Sequence, residues 1–488
     1  MNKTVNQKKS NPRHIHFIGI CGVAMSALAI AFHKKGYIVT GSDKGFYPPV
    51  STYLKDAGIS YYPGWHVDKM LAPRSPEESK GEGGGDPDLI IVGNVASSNN
   101  PEWIYVQEKN LIYKSYPEAI AEFFVKKNSI VCAGTFGKTT STSLLAWILQ
   151  ENNFDPSYMF GGISLNDMPA AKLTDSEYSI LEGDEYKSAR WDNGAKFFHY
   201  SPTHLLLTSV VWDHADVYPT EKSYFEAFEK LVQNLPTTGL LIVSEIVNKN
   251  IVKLAKCQII TYGQKENNNY QYQNIEVNKT GLKFEIKHEN KIYQINSTLL
   301  GDYLVDDMTA SFAMAHQIGL TPEKIIASLT TYKNVKRRLE RRLEGDITIL
   351  DDIAHSPQKA SSVLQTLKKI YNDGKVIAIF EPNSGNRQKE AIAGYDDKFI
   401  DADLVIIPKL TVIKQDPEEE KAIEGEELTE IIRKTQKNVK YIDNDDELVD
   451  YVVKIARPND VVAFLGSHGF RNMIEAVCQQ IQQTQQKQ

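Results

Sequence analysis

Residues 129–149 read SIVCAGTFGKTTSTSLLAWIL, and three signals follow one another there without a break. SIVCA is a short apolar run of the kind that forms a buried strand. STSLLAWIL continues as a helical run. Between them, Gly134-Thr135-Phe136-Gly137-Lys138-Thr139-Thr140 supplies a glycine-rich turn. Such a strand-to-helix turn aims backbone N–H groups at phosphate oxygens. Lys138 would neutralise charge on β- and γ-phosphates, and a threonine hydroxyl would bind Mg²⁺. The full phosphate-loop pattern, GxxxxGK[ST], needs glycine at 132, where this chain has Cys132. The loop is therefore a GTxGKTT variant.

Upstream, the pattern is strand (His16–Ile20), glycine turn, helix (Ala24–Lys35), strand (Tyr37–Thr40), then Gly41-Ser42-Asp43. It resembles the unit in which a helix N-terminus faces phosphate and an acidic residue ~20 positions on meets a ribose. Asp43 lies 21 residues after Gly22. The glycine signature is incomplete, because Met25 stands where a third glycine is expected. The basic start followed by the apolar run 17–32 would also suit a secretory leader. Gly19 and Gly22 interrupt that run, and it passes directly into a second strand, so a cytoplasmic protein is the expectation.

At ~150 residues per domain, 488 residues suggest about three domains. The apolar share is 41% and the charged share 24%, which excludes general disorder and fibrous classes. A net charge of −7 lacks the basic excess of a nucleic-acid binder, and no other run reaches a membrane span. Cys21, Cys132, Cys257 and Cys478 form no CxxC pair, so neither zinc nor a disulfide framework is implied. The expected fold class is α/β in three domains. A Rossmann-like domain spans 1–128 with a flexible insertion at 73–87, a central P-loop ATPase-type domain spans 129–336, and a C-terminal Rossmann-like α/β domain spans 337–488. The final QQIQQTQQKQ reads as a frayed tail.

The GTxGKTT loop resembles the signature of the Mur ligases, ATP-dependent enzymes that build the peptide of bacterial peptidoglycan. Further landmarks keep that family's order: Glu182-Gly183-Asp184-Glu185, Trp212-Asp213-His214-Ala215-Asp216, Arg337-Arg338-Leu339-Glu340 and Asp351-Asp352-Ile353-Ala354-His355. The resemblance implies a ligase that activates a carboxylate as an acyl phosphate and passes it to an amine. It implies ATP and Mg²⁺ as cofactors. Gly134, Thr135, Gly137, Lys138, Thr139 and Thr140 would bind ATP, with Asp352 at its ribose. Lys138, Glu182, His214 and Arg338 would carry catalysis, and Thr139, Glu182 and His214 would hold metal, since hard Mg²⁺ favours oxygen ligands. A carbamylated lysine found in several members would fall at or near Glu229, beside Lys230. The family's GxHNxxN segment is replaced here by Gly301-Asp302-Tyr303-Leu304-Val305-Asp306-Asp307, which leaves the adenine contacts open.

Gly19-Ile20-Cys21-Gly22, with Ser42 and Asp43, resembles the turn that binds UDP-N-acetylmuramate. The stretches 40–54, 91–102, 182–200 and 380–387 resemble members that attach a whole tripeptide, L-alanyl-γ-D-glutamyl-meso-diaminopimelate. The alternative partner is L-alanine, as in members of the de novo pathway. The resemblance fixes no oligomeric state. Two rivals are weaker: a nicotinamide-dependent dehydrogenase leaves GTFGKTT unexplained, and a P-loop switch has no use for a UDP-sugar turn.

Overall fold

Apolar residues occupy both faces of the strands His14–Ile18 and Leu89–Val92, as expected for parallel strands covered by helices on either side. The computed structural model describes residues 14–71, 85–94, 96–213, 217–412 and 422–485. They form two units, one of residues up to 271 with 287–291 and 306–329, the other of 272–286, 292–305 and 330 onward. Most of the insertion expected at 73–87 lies outside the described residues.

The first unit opens with β1 (His14–Ile18), α1 (Val23–Lys34), β2 (Ile38–Asp43), α2 (Val50–Asp56), β3 (Ser60–Pro63), α3 (Val67–Met70), β4 (Leu89–Val92), α4 (Pro101–Glu108), β5 (Tyr113–Ser115) and α5 (Tyr116–Ala119). Its sheet has the order β3-β2-β1-β4-β5, with every pair parallel. The order reverses between β1 and β4, so a crevice opens at their carboxyl ends. A capping box at Ser115 and Glu118 starts α5 at the exit from this sheet.

The same unit continues with β6 (Asn128–Ala133), α6 (Lys138–Glu151), β7 (Ser157–Met159), β8 (Ala171–Lys172), β9 (Tyr178–Gly183), the hairpin β10 (Lys187–Ala189) and β11 (Asp192–Ala195), β12 (His204–Leu207), α7 (Glu221–Gln233), β13 (Leu240–Ser244), α8 (Lys249–Val252) and β14 (Gln258–Gly263). Here β14, β13, β12, β6, β9, β7 and β8 lie side by side in that order. Strand β6, with parallel neighbours β9 and β12, is central and almost wholly buried. One buried cluster joins Phe32 of α1 and Phe124 to Val131 of β6, Leu181 of β9 and Tyr224 of α7. That shared core makes the first two sheets one unit.

Residues 270–297 form the strands β15 (Tyr270–Asn278), β16 (Gly281–His288) and β17 (Lys291–Ser297), followed by α9 (Leu304–Gln317) and α10 (Pro322–Thr331). The second unit then holds β18 (Glu340–Leu343), β19 (Thr348–Asp352), α11 (Pro357–Ile370), β20 (Val376–Glu381), β21 (Leu404–Pro408), α12 (Gly425–Arg433), β22 (Val439–Ile442), α13 (Asp445–Ile455), β23 (Val461–Gly466) and α14 (Met473–Gln485). Its sheet order is β18-β19-β23-β20-β21-β22, parallel except at the edge strand β18.

Two details differ from the sequence reading. The first strand begins at His14, because His14 and His16 are buried and each ring lies within 2.8 Å of the Thr40 hydroxyl. The glutamine-rich end is helix α14 through Gln485, not a frayed tail, and Ile481 is 2% exposed in the core with Val477 and Phe464. One apolar residue per turn anchors an otherwise polar helix. Ile481→Ala should lower unfolding stability by about 2–5 kcal/mol, read as a lower thermal midpoint; an unchanged midpoint would contradict the packing.

Candidate active site

The loop between β6 and α6 is shaped by lack of room. Gly134 has φ +139°, and a Cβ there would lie 2.8 Å from the Ser209 carbonyl oxygen and closer still to the Thr208 hydroxyl. Gly137 has φ +79° and would carry a Cβ into the Asp307 carboxylate. The Thr135 hydroxyl donates to the Val211 carbonyl at 2.8 Å, accepts from the Val211 N–H at 2.9 Å, and lies 2.9 Å from the Tyr224 hydroxyl. Thr140 is buried beneath the loop. Thr135 therefore braces the loop, and Lys138 and Thr139 face its open side half-buried.

The Lys138 ammonium donates to the Gly134 carbonyl at 2.6 Å and pairs with the buried Glu185 carboxylate at 3.0 Å. Tyr218 donates its hydroxyl to the Glu185 carbonyl at 2.6 Å. The Thr139 hydroxyl donates to Glu182 at 2.7 Å, and the Gly161 N–H donates to the other oxygen of that carboxylate at 2.6 Å. Burial pushes the Glu182 pKa up, against these hydrogen bonds and the charge of Lys138. Burial also opposes ionisation of Asp184, yet the Lys196 ammonium at 2.5 Å holds its carboxyl below the ordinary value. Strand β9, parallel to β6, brings Glu182 beside the loop. Glu182 and Thr139 thus offer adjacent oxygen donors that fit a hard divalent cation. His214 lies outside the described residues. Glu229 is half-buried on α7, and the adjacent Lys230 ammonium sits 4.6 Å from the centre of the Phe198 ring.

The crevice of the first sheet gathers the other predicted group. Gly19 and Ile20 donate their N–H groups to the Ser42 carbonyl at 2.8 and 3.0 Å. Asp43 accepts from the Cys21 and Lys44 N–H groups, each at 2.7 Å. Asp43 is thus committed to bracing the turn, and the Ile20 side chain is fully buried in the core. Gly22 caps the N-terminus of α1 without a side chain. Burial and Asp43 push the Cys21 thiol up to about 11, so it stays protonated at neutral pH. Beneath the turn, the fully buried Glu102 accepts from the Ser42 hydroxyl (2.5 Å), the Tyr62 hydroxyl (2.7 Å) and the His66 N–H (2.7 Å).

In the second unit, Asp352 is buried and accepts from the Leu339 and Ala354 N–H groups, each at 2.8 Å. Burial raises its pKa, against the opposing charge of Arg338. Arg338 is half-buried between two residues of positive φ, Arg337 and Leu339. Arg337 is locked by Asp351 and the carbonyls of Ser467 and His468.

Residues 14–127, 132–315 and 337–468 match, in turn, the Mur ligase family catalytic domain, the Mur ligase middle domain and the Mur ligase glutamate ligase domain. A Haemophilus influenzae protein named UDP-N-acetylmuramate–L-alanyl-γ-D-glutamyl-meso-2,6-diaminoheptandioate ligase is 31% identical across 94% of this chain and 97% of its own. The chain belongs to the Mur ligase family. A UDP-N-acetylmuramate–L-alanine ligase of Agrobacterium fabrum is 27% identical over 93% of each chain. Among solved structures, the murein peptide ligase of Psychrobacter arcticus aligns with a TM-score of 0.66 at 25% identity, covering 96% of this chain and 98% of its own. The UDP-N-acetylmuramate–alanine ligase of Thermotoga maritima aligns with a TM-score of 0.74 at 22% identity, covering 97% and 100%. The Mur ligase fold in three α/β domains is thereby established, as is its class: an ATP-dependent enzyme that forms an amide bond.

Three residues of this Mur ligase take their roles only from tertiary pairing, which their local sequence does not signal. Glu185 closes the EGDE segment, Glu102 follows Asn100-Pro101, and Asp307 ends the divergent segment 301–307. Asp307 is 5% exposed and accepts from the Ser141 hydroxyl at 3.1 Å, behind the phosphate loop. Gly134→Ala should abolish nucleotide binding, since the left-handed φ alone costs about 1–3 kcal/mol and the neighbours cannot retreat; parent-like ADP affinity in calorimetry would contradict this. The Glu102 carboxyl resists burial, yet His16, Ser42 and Tyr62 hold it below its ordinary 4.5. Its ionised form therefore stabilises the fold above that value, and this is lost as pH falls through the lowered one. In Glu102→Gln the acid-side loss of thermal midpoint should flatten; an unchanged slope would rule the contribution out.

Proposed function

We propose that this Mur ligase joins the carboxylate of UDP-N-acetylmuramate to the amine of L-alanyl-γ-D-glutamyl-meso-diaminopimelate, returning a recovered peptide to peptidoglycan synthesis in the cytoplasm. The observation that carries the reaction type is the meeting of Lys138, Thr139 and Glu182 at one glycine turn, with the hydroxyl and carboxylate 2.7 Å apart. The choice of tripeptide is supported by relatives of that name at 31% and 30% identity over 94% and 93% of this chain, against an alanine ligase of Lactobacillus gasseri at 30% over 80% of it and that of Agrobacterium fabrum at 27% over 93%. The higher TM-score of the Thermotoga maritima alanine ligase, at 22% identity, speaks to fold alone. No helix among the described residues is long and apolar enough to cross a membrane.

The muramate carboxylate attacks the γ-phosphorus of ATP, an oxygen–phosphorus bond forms, and ADP departs. The amine nitrogen then attacks the acyl carbon, the carbon–oxygen bond to phosphate breaks, and the nitrogen loses a proton. Lys138 leaves the Gly134 carbonyl and Glu185 to meet the transferring phosphoryl group. The N–H groups at the start of α6 hold phosphate oxygens, the N–H groups of Thr135 and Phe136 being bound to Ser209. Mg²⁺, held by Thr139 and Glu182 and by resemblance also His214, would offset charge on the phosphates. By resemblance alone, Arg338 and Asp352 contribute to nucleotide binding. The domain limits near 128 and 336 belong to the same proposal, assigning UDP-sugar, ATP and amine donor in that order.

Purified protein should be offered UDP-N-acetylmuramate, ATP and Mg²⁺ with L-alanine and with the tripeptide in parallel, and the products weighed. A product from the tripeptide alone is expected. Product from L-alanine alone reverses the choice of donor, and no amide from either refutes the function. Lys138→Ala should abolish phosphate release while UDP-N-acetylmuramate still binds; loss of both would refute the separation of the two sites.

A further inference from the structure

The hairpin β10–β11 leaves the end of β9, where Glu182 lies, and reaches the first sheet. Its base is fixed on the ATP side, with Lys196 on Asp184 at 2.5 Å and the Phe197 N–H on the Asp184 carbonyl at 3.2 Å. Its body is braced from within. Asp192 accepts from the Gly194 N–H at 2.8 Å and meets the His199 ring at 2.8 Å, and Ser188 donates to the Gly194 carbonyl at 2.8 Å. Its tip, Arg190-Trp191, grips the other side. The Arg190 guanidinium donates to the Ala96 carbonyl at 2.8 Å. The Trp191 ring stacks on Trp103 of α4 at 5.2 Å and 13°, and meets Tyr113 edge-on at 5.4 Å. Trp191 itself is 42% exposed, so filling a core does not explain it.

The gripped parts line the crevice. Ala96–Asn100 follow β4 at the point where strand order reverses, and the Asn100 side chain accepts from the Trp103 N–H at 3.0 Å. Beside Trp103, Glu102 holds Ser42, whose carbonyl holds the turn Gly19–Ile20. An unbroken chain of contacts thus runs from Glu182 and Asp184 through the hairpin to the UDP-sugar turn. The shared core fixes the first sheet along α1; the hairpin tip adds a second attachment on the α4 side.

We propose that Arg190 and Trp191 are positioning residues for the UDP-sugar, holding Ala96–Asn100 and α4 in the arrangement that binds it next to the phosphate loop. This rests on the reading of the crevice as the UDP-sugar site. The test is steady-state kinetics of the full chain, with UDP-N-acetylmuramate and ATP varied in turn. Trp191→Ala and Arg190→Met should each raise KM for the UDP-sugar, roughly tenfold for Trp191→Ala, and leave KM for ATP at the parent value. Trp191→Phe should restore most of the loss by keeping an aromatic face. If Trp191→Ala fails to fold, Arg190→Met carries the test alone. Parent KM values for the UDP-sugar in the folded variants, or equal rises for both substrates, overturn the proposal while the function stands. A parent chain that never turns over UDP-N-acetylmuramate overturns both.

Discussion

A methyl group at residue 134 would press on the Ser209 carbonyl and the Thr208 hydroxyl at the end of β12, and this lack of space governs the phosphate loop. With no side chain at 134, the backbone can turn at φ +139°, and Lys138 then begins α6 with its ammonium folded back on the Gly134 carbonyl. The parallel strand β9 delivers Glu182 to the same edge, and Glu185 follows just beyond the strand's end. One glutamate takes the Thr139 hydroxyl and the other takes the Lys138 ammonium. The polar groups of the glycine turn are thus paired within the protein itself. Pairing with Glu185 spares Lys138 the cost of a lone, partly buried cation.

The phosphate loop was legible in sequence because its geometry demands particular residues: glycines at 134 and 137, and lysine and threonine at the helix start. The α/β class followed from apolar strands alternating with helices. What escaped notice was chemistry made by distant pairing. Glu102 and Ser42 are 60 positions apart, and Ser141 and Asp307 are 166 apart. Nothing in one sequence announces that such residues meet. The buried histidines at 14 and 16 disguised a strand start, because polarity suggests exposure until Thr40 is seen beside them. The glutamine-rich end misled for the opposite reason, since its composition hid the burial of Ile481.

Asp43 and Asp352 teach a related lesson. Spacing marked Asp43 as a ribose ligand and the family resemblance marked Asp352, and in the structure both carboxylates accept from backbone N–H groups that shape their own turns. A carboxylate at a strand end can shape the backbone of its own turn, a duty that motif position alone does not reveal. The incomplete loop pattern, with Cys132 for glycine, has a simple reason. Cys132 is a fully buried residue of β6, paired with Glu182 and Leu206 on either side, and not part of the turn.

The claim beneath the whole scheme is that ATP activates a carboxylate. Synthesis with UDP-N-acetylmuramate carrying heavy oxygen in both positions of its lactyl carboxylate tests it directly, by mass analysis of the inorganic phosphate released. Acyl-phosphate activation predicts one heavy oxygen in each phosphate formed alongside the amide. Phosphate free of heavy oxygen would contradict it.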